Sequence, residues 1–194
     1  MLNPLRESFR DQTRGNACQE AITAVEFFIQ DPPPPSTAPC FHYLPPARNR
    51  FDLQVRNASG RLVHLIQIDR CLYSAAEGRR CDCLLLTTEQ AYFVEFKAAE
   101  RDITTSGNLR YARAADCVEQ LEHTIKDFIS RDIIPPGALV MAYACVGRTS
   151  QRPYPGADFL ALSASFNNRF EGIPVRVRLI VENVLVINRS TSAD

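Results

Sequence analysis

Lysine is nearly missing from this chain of 194 residues: two stand at 97 and 126, against 20 arginines. In a chain that uses arginine almost everywhere, Lys97 stands two residues after Glu95. A compact ammonium acts there as a point charge on water or phosphate, a role a planar guanidinium does not fill. Excess charge of one sign is missing too. With 22 basic and 22 acidic side chains, the field of the whole molecule does not by itself draw in a polyanion. Long apolar runs are absent, and none reaches the roughly 20 residues that a membrane-spanning helix needs. Residues 1–14 are polar and lack the apolar stretch of a secretory signal. The expectation is a cytoplasmic protein with no membrane partner.

The seven cysteines, at 18, 40, 71, 81, 83, 117 and 145, are odd in number and include no C-x-x-C pair. Most sit inside apolar patterns, where a free thiol behaves as a small buried hydrophobe. Reduced thiols are therefore expected rather than a disulfide framework. Zinc at Cys71, Cys81 and Cys83, or at Cys40 and His42, lacks the usual paired spacing.

What is present centres on residues 79–97. This stretch reads as a β-hairpin that carries Asp82 on its first strand and Glu95 and Lys97 on its second, with its tight loop within Thr87 to Gln90. Either a two- or a four-residue loop sets Asp82 directly opposite Glu95. Strand side chains alternate, so Glu95 and Lys97 share a face while Tyr92, Val94 and Phe96 take the other. Two facing carboxylates repel, and a sheet ordinarily avoids that pair. A divalent cation between them removes the penalty, and the hairpin becomes a candidate metal-hydrolysis site. The competing reading is an exposed ion pair on an ordinary sheet. Against it, Leu84, Leu86 and Phe93 share the face of the two carboxylates, which points to burial.

Around the hairpin, the length suits one domain over 1–194. Asn16 with Gln19 resembles a capping box, and Cys18, Ala21, Ile22, Val25, Phe28 and Ile29 fall on one helical face. This spacing predicts a helix over about 17–30. Glu20 lies in its first turn, where the helix dipole alone accounts for a carboxylate. Asp31 and the prolines 32–35 end it, and 31–50 reads as an extended loop. Strands are predicted at 51–55 and 62–68, joined by a turn at Asn57 to Gly60. After Lys97 come a polar loop and a helix over about 109–130, with Ala114, Cys117, Val118, Leu121, Ile125 and Phe128 as its apolar stripe. Arg113, Gln120 and Thr124 share one flank of that stripe. A buried strand follows at 138–146. Residues 159–166 fit a helix or a strand, and 175–180 and 183–187 read as closing strands, as in a hairpin. The fold class is α/β, with helices on a mixed central sheet.

The pattern Asp82, twelve residues, Glu95-Phe96-Lys97 resembles the PD-(D/E)xK nuclease superfamily, which includes many restriction endonucleases and Holliday-junction resolvases. Cys81 stands where the named pattern has proline. The resemblance implies a restriction-endonuclease-like core of order α-β-β-β-α-β over about 15–146, with a β extension over about 157–188. It implies that Asp82 and Glu95 bind Mg2+, with Mn2+ able to substitute, and that Lys97 orients water or stabilises charge at the scissile phosphate. Glu20 fills the slot of a metal-binding glutamate on the first helix, and Gln120 that of a glutamine on the second. Arg79, Arg80, Arg101, Arg110 and Arg113 would supply a local basic surface for phosphates.

The expected activity is metal-dependent hydrolysis of nucleic acid, DNA ahead of RNA. Zero net charge suggests help with substrate binding from a homodimer or a partner subunit. The alternative keeps the fold as a non-catalytic binding or regulatory subunit.

Overall fold

The central strand of the computed structural model is β7 (Ala91–Lys97), whose first six residues are all buried. The structure describes residues 1–45, 51–78, 80–97, 107–147 and 157–187. Strand β6 (Cys83–Leu86) pairs antiparallel with β7, joining Cys83 to Val94 and Leu86 to Ala91, the register argued from the loop length. Thr87 closes the hairpin: its N–H donates to Gln90 O at 3.0 Å, and its Oγ1 accepts from Gln90 N at 3.0 Å. On the far side of β6 lie β5 (Val63–Gln67) and then β1 (Gln19–Ile22), each antiparallel to its neighbour.

From β7 the chain crosses through helix α2 (Gly107–Ser130) to β8 (Leu139–Val146), which runs parallel to β7. A second crossover, helix α3 (Ala157–Asn168), leads to β9 (Arg176–Ile180), parallel to β8. Among the described residues these strands make a six-stranded sheet of order β1-β5-β6-β7-β8-β9. A four-stranded sheet contains β2 (Glu26–Gln30), β3 (Phe41–Tyr43), β4 (Leu53–Arg56) and β10 (Val184–Val186), in the order β10-β4-β2-β3.

Two cores follow from the alternation of side chains along the large sheet. One face, with Ile66, Leu84, Phe93, Ala142 and Ala144, packs on α2 through Cys117, Leu121, Ile125 and Phe128. Leu162 and Phe166 of α3, and Leu5 of the short N-terminal helix α1 (Leu2–Ser8), extend that core. The other face, with Leu65, Cys83, Leu85 and Val94, packs on the small sheet through Phe27, Ile29, Leu53, Val55 and Leu185. The central sheet thus carries helices on one face and a second sheet on the other, where helices alone were expected to flank it.

Residues 17–30 correct the sequence reading most. They form β1 and β2 rather than a helix. Asn16 and Cys18 have φ of 64° and 57°, outside the right-handed helical region. Phe27 and Ile29 face the large sheet, while Phe28 turns outward against Tyr43 and Phe51, with ring centroids at 5.5 and 5.0 Å. The apolar run therefore has a partner on both sides and satisfies a period of two. Strands β4 and β5 form as expected, and Gly60 N donates to Asn57 O at 2.8 Å in the turn between them. They part there into different sheets. Strands β9 and β10 likewise separate instead of closing a hairpin, β10 pairing parallel with β4. The undecided segment 159–166 is helical. Cys18 and Cys71 form a disulfide, against the expectation of reduced thiols, while Cys40, Cys81, Cys83, Cys117 and Cys145 are free and buried. No helix among the described residues is long and apolar enough to cross a membrane.

Candidate metal centre

Between β6 and β8, strand β7 is buried on both faces, which is why it reads as an almost continuous apolar run. Glu95 is the exception, and it is only 2% exposed. Burying an ionised carboxylate costs several kcal/mol even when it is paired. A residue kept in such a place against that cost invites a chemical explanation.

Its two oxygens differ. Glu95 Oε1 accepts from Lys97 Nζ at 2.7 Å and from Gln120 Nε2, which reaches over from α2. Glu95 Oε2 is buried, and among the described residues no N–H and no hydroxyl donates to it; the Asp82 carboxyl hydrogen-bonds the Glu95 side chain, so in the metal-free protein the two acids share a proton. The neighbouring carboxyl is that of Asp82, one rung beyond the paired residues of β6 and β7.

Asp82 is held at the end of its strand by contacts on both sides. Phe96 N donates to its Oδ2 at 2.6 Å. Its own carbonyl accepts from Ile68 N at 2.9 Å and Asp69 N at 3.2 Å, a bulge-like doubling where β5 ends. Just upstream, Cys81 N donates to Thr124 Oγ1 at 2.9 Å, so α2 fixes the approach to Asp82 as well as presenting Gln120. Thr124 Oγ1 in turn donates to Gln120 O at 2.8 Å, four residues back along the helix.

The electrostatics follow from this crowding. Burial is the largest cause raising the Asp82 pKa well above the carboxylate range, followed by the charges of Glu95 and Asp31. The Phe96 N–H pulls the other way. Burial also raises Glu95, to about 7, against the opposing pull of Lys97. At Lys97 burial works against the charge, yet Glu95 outweighs it and the pKa rises, so the amine is an ammonium at neutral pH. The buried thiol of Cys117, one turn before Gln120 on α2, is pushed up by burial and then by Glu95.

Asp82, Glu95, Lys97 and Gln120 therefore meet. Glu20 does not join them. Glu20 sits on β1 opposite Leu65, on the face that packs against the small sheet, and contacts His42 Nδ1 at 2.5 Å. The helix that was to carry it toward Glu95 is a strand, and the alternation of that strand turns it to the opposite face. Arg80 lies over the Tyr73 ring at 4.8 Å. Arg113 is exposed on α2, two turns before Gln120. Arg79 and Arg101 lie outside the described residues, and so does the side chain of Arg110.

Three neighbours were not read from the sequence as site residues: Cys117, Cys40, whose Sγ lies 3.9 Å from Asp82 O, and Asp31. Asp31 precedes four prolines, and that signal hid it as a mere chain stop.

Among the described residues, no group of three or more His, Cys, Asp or Glu side chains is arranged to hold a metal ion. The candidate centre is a two-carboxylate one. This donor set fits Mg2+, which binds through one or two carboxylates and keeps several waters. The buried Glu95 carboxyl, hydrogen-bonded to that of Asp82, is where such an ion would take the place of the shared proton. Comparison of the chain with family models, curated proteins and solved structures finds no match.

Proposed function

We propose that the chain is a magnesium-dependent nuclease of the PD-(D/E)xK type, cleaving phosphodiester bonds of DNA in preference to RNA. The observation that carries this reading is the buried carboxyl pair of Asp82 and Glu95, with Lys97 and Gln120 both donating to Glu95 Oε1. The order of elements supports it too. The antiparallel meander β5-β6-β7, the crossover through α2 and the parallel β8 match the β-β-β-α-β part of the expected core order, while strands stand where its leading helix was expected.

Asp82 and Glu95 would hold the ion, with Mn2+ able to replace Mg2+. When bound, the metal supplies Lewis-acid stabilisation of the phosphate charge and a lowered pKa for bound water. Lys97, as an ammonium, has no lone pair with which to take a proton. Its role is to donate to the attacking water or to a phosphate oxygen, adding positive charge where negative charge develops. Gln120 orients Glu95 through Oε1, leaving Oε2 toward the metal. Hydrolysis adds water at phosphorus and releases the bridging oxygen as an alcohol, the proton leaving through solvent. With zero net charge on the chain, contact with a polyanion would draw on arginines near the site or on a second subunit.

The test is cleavage of linear, branched and single-stranded DNA by the wild type, Asp82→Ala and Lys97→Ala, with Mg2+ and with EDTA. The wild type is expected to cut only with metal, and each variant to lose at least a hundredfold in rate. Metal binding with no cutting of any substrate would favour the non-catalytic reading of the same fold.

A further inference from the structure

The small sheet has an outer face that belongs to neither core. Phe27, Ile29, Leu53, Val55 and Leu185 pack on the large sheet, and alternation turns their neighbours outward. The buried apolar side chains of α1, α2 and α3 all fall in the other core, so the described helices lie on the far side of the large sheet.

What stands on the outer face is a chain of rings. Phe51 lies 5.0 Å from Phe28, Phe28 stacks on Tyr43 at 5.5 Å with 22° between their planes, and Tyr43 lies 6.3 Å from Phe41. Phe28 is buried among its neighbours, while Phe41, Tyr43 and Phe51 are half-buried. Mutual packing accounts for Phe28. It does not account for two rings on β3, an edge strand, where charge is the usual protection. Arg56 stands exposed at the other end of the face, and Glu26 between them is engaged by Gln54 Nε2 at 2.6 Å.

The size of the face decides between occupants. Four strands of three to five residues span roughly 19 by 13 Å, about 250 Å2. A stable dimer buries about 800 Å2 on each partner. The face is too small for a second copy and suits a few nucleotides, whose bases stack on aromatic rings whatever their sequence.

Its position relates it to the metal centre. Cys40, next to Phe41, has its Sγ 3.9 Å from Asp82 O. Asp52, next to Phe51, has its carbonyl bonded by Asn183 Nδ2 at 2.7 Å; the same amide bonds Gly147 O at 3.0 Å, and Gly147 N donates to Lys97 O at 3.0 Å. The end of the small sheet that carries Phe41 and Phe51 is therefore the end at which Asp82 and Lys97 lie. Packed sheets stand about 10 Å apart, so a strand leaving the centre around that end meets these rings.

We propose that the outer face of the small sheet binds single-stranded nucleic acid, its bases stacking on Phe41, Tyr43 and Phe51, and holds a strand that continues into the Asp82–Glu95 centre. The binding stands on the aromatic face alone, and the continuation rests on the nuclease reading.

The test is fluorescence anisotropy of labelled oligodeoxythymidine and oligouridine of about twelve nucleotides, beside a DNA duplex of equal length, titrated with the full chain in EDTA. Phe41→Leu and Tyr43→Leu keep apolar bulk and remove a ring. Each should raise the single-strand Kd at least fivefold, the factor that about 1 kcal/mol of lost stacking gives, and leave duplex binding unchanged. The chain has no tryptophan, so Tyr43→Trp supplies a lone reporter whose emission stacked bases should quench at undiminished affinity. The ratio of the two single-strand affinities tells whether the face serves DNA or RNA.

Unchanged single-strand affinity in both leucine variants, or an equal loss for the duplex, would overturn the proposal. Weaker binding in leucine variants that also unfold at lower temperature, with Tyr43→Trp emission unmoved by either strand, would overturn it too and make the rings structural. A wild type that binds neither strand and sediments as a dimer, which Tyr43→Leu dissociates, would give the face to a second copy. Single-strand binding without any cleavage in Mg2+ would keep the binding face and overturn the nuclease reading. Metal-dependent cleavage with no single-strand binding would do the reverse.

Discussion

Raising the pH of the metal-free protein should destabilise it, and the amount can be worked from Glu95. Its pKa rises from an ordinary 4.5 to about 7, so the folded chain holds this proton more tightly than the unfolded chain. The stability linked to that proton is fully present below the ordinary carboxylate range. It is lost as pH rises through about 7. The loss between pH 4.5 and 8 is about 3 kcal/mol. For a chain of this size it corresponds to a fall of roughly 6–12 °C in unfolding temperature.

Asp82 shifts in the same direction and titrates together with Glu95, so the effect belongs to the pair. Glu122 and Asp127 shift downward and contribute with the opposite sign over a more acidic range. The quantity to measure is therefore the difference between the wild type and Glu95→Gln, by thermal unfolding in EDTA at both pH values. Glu95→Gln should gain on the wild type by about 3 kcal/mol as pH rises, and saturating Mg2+ should close most of that gap for the wild type alone. A wild type and Glu95→Gln whose stabilities run parallel from pH 4.5 to 8 would refute the reasoning. Parallel curves would mean that Glu95 and Asp82 do not compete for charge in the folded chain.

Other perturbations probe the supports of the site. Gln120→Ala removes one of the two donors on Glu95 Oε1 and is expected to lower the cleavage rate about tenfold or more with little loss of stability, read by single-turnover kinetics. Thr124→Val leaves the buried Cys81 N–H without its acceptor, a change worth about 1–3 kcal/mol; urea unfolding reads the loss, and cleavage should fall in the same variant because Asp82 follows Cys81. Glu20→Gln should leave metal-dependent cleavage within about twofold of the wild type, since Glu20 lies on the other face of the sheet beside His42.

The hairpin was legible because its information is local. A short loop fixes the register of two strands, and the register fixes which side chains face each other, so Asp82 opposite Glu95 followed from counting residues. Helix α2 was legible for a similar reason: a stripe at helical spacing from Ala114 to Phe128, about four turns, has no strand equivalent. Residues 17–30 were not. Their apolar positions fit a helical face, and what makes them strands is distant: Leu53, Val55 and Val63 to Leu65 supply the partners. The misplacement of Glu20 follows directly, because a carboxylate one turn into a helix and one on an edge strand point to different faces. The Cys18–Cys71 disulfide joins positions 53 residues apart, and no spacing rule links them.

Metal-dependent cleavage of DNA by the wild type beside Lys97→Ala and Asp82→Ala tests the central claim most directly. The account expects cutting by the wild type with Mg2+ or Mn2+, none in EDTA, and a loss of at least a hundredfold in both variants while each stays folded. Cutting that survives both substitutions would contradict it.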